Sequence, residues 1–133
     1  ATGGVLLAGS RHMRVRGICT DSRMVRSGDL FIALRGEVFD GHRFVKDVLK
    51  FGVKGVIVEE SMSKKALSIV RNTQPSRSET DPLIVGVADT TRALQAIAAY
   101  HRQRFQIPVV AITGSNGKTT TKEMVASTLG EHF

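Results

Sequence analysis

The segment Ala111-Ile112-Thr113-Gly114-Ser115-Asn116-Gly117-Lys118-Thr119-Thr120-Thr121 constrains this chain more than any other. An apolar run at 109–112 predicts a buried strand. A glycine turn follows it. Beyond the turn, Met124, Val125, Thr128 and Leu129 recur at helical spacing and predict a helix with one apolar face. Strand, glycine turn with Lys-Thr, helix is the architecture of a phosphate cradle and belongs to α/β proteins.

Each residue of the turn has a physical role in that reading. Gly114 and Gly117 can take positive φ and bring backbone N–H groups close to a polyphosphate, with no Cβ in the way. The helix start adds unpaired N–H groups and a positive dipole end. Lys118 would bridge β- and γ-phosphates as the catalytic cation, and the hydroxyl of Thr119 would ligate Mg²⁺. The pattern departs from G-x-x-x-x-G-K-[ST], because the position five before Gly117 holds Ile112. A glycine turn capping an ordinary βα unit is the bland alternative.

Upstream, short apolar runs alternate with helical patterns. A helix end, a Gly-Gly turn and a strand at 5–7 open the chain, and a second extended segment covers 15–18. Leu30-Phe31-Ile32-Ala33-Leu34 is apolar on both faces and predicts a central strand. Phe44, Val45, Val48 and Leu49 predict a helix that Gly52 stops. A strand at 55–58 and a helix through Met62, Ala66, Ile69 and Val70 come next, then an exposed loop at 72–81. A strand at 83–87 leads to a helix at 91–104, capped by Asp89 or Thr90, with Leu94, Ile97 and Ala98 inward. The expected boundary lies near 105–108. A complete small domain at 1–107 would precede it, and the first βα unit of a second domain, 108–133, would follow.

Composition excludes some classes. No apolar stretch approaches the roughly 20 residues that span a bilayer, so no membrane insertion is expected. The start lacks both an initiator Met and a signal-peptide layout, which predicts that the chain begins inside a longer protein. The single Cys19 cannot form an internal disulfide; it fits a reducing cytoplasm and a packing role. A net charge of +7, much of it on Arg11, Arg14, Arg16, Arg23 and Arg26, raises nucleic acid as a partner. Aromatic content of 5%, no Trp and no nucleic-acid motif argue against it. A multiply anionic small substrate accounts for a basic surface equally well.

The shortened loop Gly114-Ser115-Asn116-Gly117-Lys118-Thr119 resembles the ATP loop of the Mur ligases and their folylpolyglutamate synthetase relatives. Three more segments, in order, extend the resemblance to the Mur ligase family over essentially the whole chain. They are Thr20-Asp21-Ser22-Arg23 with 27–34; Arg35-Gly36-Glu37 with Asp40-Gly41-His42 and Phe44; and Val87-Ala88-Asp89-Thr90-Thr91-Arg92-Ala93-Leu94-Gln95. Ser115, Gly36-Glu37, Gly41-His42 and Lys122-Glu123-Met124 resemble the branch of the family that adds D-Ala-D-Ala. The sister branch, which adds a diamino acid to UDP-N-acetylmuramoyl-dipeptide, shares several segments and stays open as an alternative.

The resemblance implies an α/β fold: a small mixed-sheet N-terminal domain that binds UDP, then the start of a P-loop ATPase domain. It implies ATP and Mg²⁺ as cofactors. It also implies UDP-N-acetylmuramoyl-tripeptide and D-Ala-D-Ala as substrates, joined through an acyl phosphate in peptidoglycan precursor synthesis in the bacterial cytoplasm. On this resemblance Gly114, Ser115, Asn116, Gly117, Lys118, Thr119 and Thr120 bind ATP. Ser22, Arg23, Gly36, Glu37, Asp40, Gly41 and His42 fall in the region that binds the UDP substrate. Hydroxyls and glycine N–H groups suit uracil edges and phosphate oxygens, and Arg23 or Arg35 suits a bidentate phosphate contact. Structural turns at Asp21-Ser22 and Asp40-Gly41, a solvated His42, and an Arg23 paired with a nearby carboxylate are the alternatives for individual residues. The remainder of such a ligase is expected outside this chain, so the chain alone is expected not to ligate. A free-standing nucleotide-sugar-binding module and a P-loop NTPase unrelated to the cell wall are the other readings.

Overall fold

The computed structural model describes residues 2–73 and 81–131. Five strands form one sheet in the order β1-β5-β4-β3-β2: β1 (Val5–Ala8), β2 (Ile18–Cys19), β3 (Leu30–Ile32), β4 (Gly55–Glu59) and β5 (Leu83–Val87). Strands β2 to β5 run parallel, and β1 pairs antiparallel with β5 along the far edge. The helices are α1 (Val45–Phe51), α2 (Glu60–Thr73), α3 (Thr90–Arg102) and α4 (Lys118–Gly130), with a 3₁₀ turn at Gly41–Phe44 leading into α1.

The sheet is a mixed one whose inner strands β3 and β4 are buried on both faces, which is why they read as unbroken apolar runs. Period-two alternation assigns the side chains. Phe31, Val56, Val58 and Ile84 face one core with Val45 and Val48 of α1 and Ala66 and Val70 of α2. Leu30, Ile32, Ile57 and Val87 face the other with Ala93 of α3. Helix α1 stops at Gly52, whose φ of 94° and ψ of 30° are left-handed, so its N–H reaches back to the carbonyls of Val48 and Leu49. Asp89 caps α3: its carboxylate accepts from the backbone N–H groups of Thr91 and Arg92.

Several sequence expectations shift. Residues 2–4 form no helix end, and β2 lies at Ile18–Cys19 rather than at 15–18. Strand β3 is second from the edge and not central, yet fully buried because helices cover both faces. Helix α2 runs on through Asn72 and Thr73, and residues 74–80 of the expected loop lie outside the described ones. On α3 Thr90 and Ala93 are buried and Leu94 and Ile97 pack against the core as expected, while Ala98 is exposed. The strand expected at 109–112 is absent: Val109 and Val110 are 62% and 65% exposed. A strand needs a hydrogen-bonding neighbour, and no described segment lies beside this one. Helix α4 forms as expected, but Met124 and Leu129 stay exposed, because nothing among the described residues covers its apolar face.

Candidate functional site

The carboxyl ends of parallel strands are where open α/β sheets gather ligand-binding loops. Here β2 and β3 end side by side, and their loops enclose a cleft of about 590 Å³. Thr20, Asp21, Ser22 and Arg23 line it from the loop after β2; Phe31 and Leu34 form the floor near β3; Gly36, Phe39, Gly41 and Phe44 close the other side. Volume and mixed polar–apolar lining suit a small-molecule site.

The loop after β2 is built around one carboxylate. Asp21 Oδ1 accepts from the Arg23 backbone N–H at 2.9 Å and from Arg23 Nε at 3.0 Å, and Oδ2 accepts from Nη2 at 2.7 Å. The side-chain bonds from Arg23, aided by its backbone N–H, lower the Asp21 pKa to about 2. Arg23 thus meets a structural carboxylate through one edge of its fork, and Nη1 remains to approach a ligand. Cys19 Sγ donates to the Asp21 carbonyl at 3.1 Å from a half-buried position.

The facing loop turns between Arg35 and Asp40, which form an isolated antiparallel bridge. The Gly36 N–H donates to the Phe39 carbonyl at 2.7 Å, and the Gly41 N–H to the Leu34 carbonyl at 2.8 Å. Gly41 is required by close approach, since a Cβ there would sit 2.9 Å from the Leu34 oxygen and 3.1 Å from Ala33 Cα. At the tip, Phe39 is 73% exposed, an aromatic face available at the rim.

The structure therefore brings together Ser22, Arg23, Gly36 and Gly41 from two separate loops. It does not place Glu37, Asp40 or His42 on the cleft lining. Glu37 is exposed beside it. His42 is buried, not solvated: its Nδ1 lies 2.6 Å from Asp40 Oδ1 and its Nε2 accepts from the Glu59 N–H at 3.0 Å. Burial works to raise the Asp40 pKa, but the bonds from the His42 ring and backbone, with the Arg35 charge, outweigh it and hold the carboxyl below its usual range. Sequence reasoning missed Thr20, Asp21, Phe31, Leu34 and Phe44 as cleft residues and reached Phe39 only as part of the loop from Gly36 to His42. Only Val38-Phe39, an apolar pair amid turn glycines, carried a visible signal.

The second candidate element is the glycine turn before α4. Gly114 has φ of 150° and Gly117 φ of 74°. No side chain caps the helix, so its first N–H groups face outward from Gly117. Lys118 folds back so that Nζ donates to the Gly114 carbonyl and, at 3.3 Å, to the Ser115 carbonyl. Thr121 Oγ1 bonds the Gly117 carbonyl at 3.0 Å, leaving Thr119 and Thr120 exposed on the first turn. Two left-handed glycines, an uncapped helix start and a lysine curled over the loop fit a polyphosphate. Thr119, the metal donor expected here, has an exposed position; among the described residues no cluster of three His, Cys, Asp or Glu side chains forms. No described helix is long and apolar enough to cross a membrane.

Comparison with known proteins gives the family and the fold. A family model described as Mur ligase family, catalytic domain, matches residues 14–102. The UDP-N-acetylmuramoyl-tripeptide–D-alanyl-D-alanine ligase of Synechocystis sp. is 42% identical over 122 residues, which cover 92% of this chain and 24% of that protein. The UDP-N-acetylmuramoyl-L-alanyl-D-glutamate–2,6-diaminopimelate ligase of Cytophaga hutchinsonii is 37% identical over 119 residues, 88% of this chain and 22% of that one. The crystal structure of MurF ligase from Thermotoga maritima in complex with ADP superposes with a TM-score of 0.67 at 30% identity, covering 92% of this chain and 25% of that one. The chain spans about a quarter of the length of the relatives it matches. With a family match over residues 14–102 and the mixed α/β sheet of a solved member, the chain belongs to the Mur ligase family.

Proposed function

We propose that residues 1–107 grip the UDP end of UDP-N-acetylmuramoyl-tripeptide, and that 108–133 begin an ATP-binding domain. Together they would serve a ligase that adds D-Ala-D-Ala during peptidoglycan precursor synthesis. The observation that carries the reading is the cleft at the ends of β2 and β3, where Ser22, Arg23, Gly36 and Gly41 converge. The Ser22 hydroxyl and the free edge of Arg23 suit phosphate oxygens, glycine N–H groups suit carbonyl and phosphate acceptors, and Phe39 offers a face to a flat base. The net charge of +7 favours a multiply anionic ligand at long range.

In the ATP-binding reading, Gly114, Ser115, Asn116, Gly117, Lys118, Thr119 and Thr120 would hold the phosphates, with Thr119 contributing to Mg²⁺. MgATP supplies the phosphoryl group that activates the substrate carboxylate toward an amine. Lys118 would exchange its two loop carbonyls for phosphate oxygens and balance their charge. The relative named as a D-Ala-D-Ala ligase and the MurF structure bound to ADP support this reading. The match to a diaminopimelate ligase supports a second one, in which the substrate is UDP-N-acetylmuramoyl-dipeptide.

Calorimetric titration of the chain with UDP, UDP-N-acetylmuramoyl-tripeptide and ATP tests the proposal. Saturable binding of both uridine ligands, with UDP displaced by the tripeptide, is expected. Binding of ATP alone would contradict it.

A further inference from the structure

The cleft wall at 36–39 is anchored from outside the cleft by a closed ring in which the side chains of His42, Asp40 and Arg35 meet the backbone N–H and the carboxylate of Glu59. The His42 side chain is 0% exposed. Its Nε2 accepts from the Glu59 N–H at 3.0 Å, so the ring proton must sit on Nδ1, which donates to Asp40 Oδ1 at 2.6 Å. Asp40 Oδ2 faces Arg35 Nη2 at 3.6 Å, and Arg35 Nη1 pairs with Glu59 Oε2 at 3.0 Å. The ring thus links both ends of the wall loop, Arg35 and Asp40, to the last residue of β4. Asp40 Oδ1 also accepts the His42 backbone N–H at 3.0 Å, which starts the 3₁₀ turn.

We propose that His42 is a positioning residue for ligand binding in the cleft. It touches no ligand. Its Nδ1–H fixes the Asp40 carboxylate, and through the Arg35–Asp40 bridge that carboxylate sets where Gly36 and Phe39 stand. The geometry favours this over a contact role, because the imidazole has no exposed surface and both its nitrogens are engaged within the protein. A wall held this way is preformed, so a ligand need not order it on binding. The His42 imidazole, buried and bonded at both nitrogens, also penalises any alternative loop position in which one of them is left unpaired. The inference rests on the reading of the cleft as the uridine-nucleotide site.

The test is UDP affinity, measured by calorimetry on the chain and on His42→Ala, His42→Asn and Asp40→Asn, each checked by thermal melting. Asparagine keeps a donor where Nδ1 stood but offers nothing to Glu59. His42→Ala is expected to weaken UDP binding about tenfold or more while the chain stays folded at the titration temperature. His42→Asn should recover most of that loss. Should His42→Ala unfold, Asp40→Asn carries the test, with the same weakening expected. Folded His42→Ala or Asp40→Asn binding UDP as tightly as the unsubstituted chain would overturn the inference, as would His42→Asn binding no better than His42→Ala. Failure of the unsubstituted chain to bind UDP overturns the cleft reading itself, a distinct result.

Discussion

Arg23 folds its guanidinium back onto Asp21, with Nη2 2.7 Å from Oδ2 and Nε 3.0 Å from Oδ1. The pair shapes the loop after β2 and turns the remaining edge of the guanidinium outward. Its electrostatic signature is the Asp21 pKa, lowered from 3.8 to about 2, first by the Arg23 side-chain bonds and then by the Arg23 backbone N–H. A carboxyl whose pKa falls on folding stabilises the fold above its unfolded value. That contribution is complete above about pH 4 and is lost as pH falls through about 2. A carboxyl-carbon NMR titration should place the Asp21 midpoint near 2, and Arg23→Gln should return it to the ordinary aspartate range. An unperturbed midpoint in the unsubstituted chain would mean the pair does not persist in solution.

Gly36 and Gly41 bound the same loop but answer differently to a methyl group. A Cβ on Gly41 would lie 2.9 Å from the Leu34 oxygen and 3.0 Å from its nitrogen, both backbone atoms that cannot turn aside. On Gly36 the nearest atom is the Phe39 oxygen at 3.6 Å, an ordinary contact. Gly41→Ala should therefore destabilise the chain by about 1–3 kcal/mol, and Gly36→Ala by no more than about 0.5 kcal/mol. Urea denaturation of the two variants measures the difference; equal midpoints would refute the close-approach argument.

Much of this fold is legible in the chain itself. The apolar runs at 55–58 and 83–87, Gly52 as a stop and Asp89 as a cap are local signals, and local hydrogen bonds and burial realise them. The strand expected at 109–112 fails because pairing is not local: apolar content supplies propensity, not a neighbour. The cleft is legible only in part for the same reason. Ser22 and Gly41 meet because β2 and β3 are parallel neighbours, a relation no spacing in the sequence encodes. Phe31, Leu34 and Phe44 carry no chemical signature that separates cleft walls from core. His42 shows the opposite error, a polar residue near a loop that turns out to be buried and engaged at both nitrogens.

Lys118 stands in α4 and takes no part in the cleft lining. Lys118→Ala should leave the affinity of the chain for UDP-N-acetylmuramoyl-tripeptide within about twofold, while removing the charge that would hold ATP phosphates. Parallel titrations with the two ligands check this. Equal loss of both would show that the two sites are not independent.

The central claim is that the cleft between the loops after β2 and β3 holds the uridine nucleotide. The most direct measurement is a backbone-amide NMR titration of the chain with UDP-N-acetylmuramoyl-tripeptide. The account predicts saturable shift changes concentrated at residues 20–23 and 36–41, with 114–121 largely unmoved. Shift changes confined to 114–121, with the cleft silent at saturation, would contradict it.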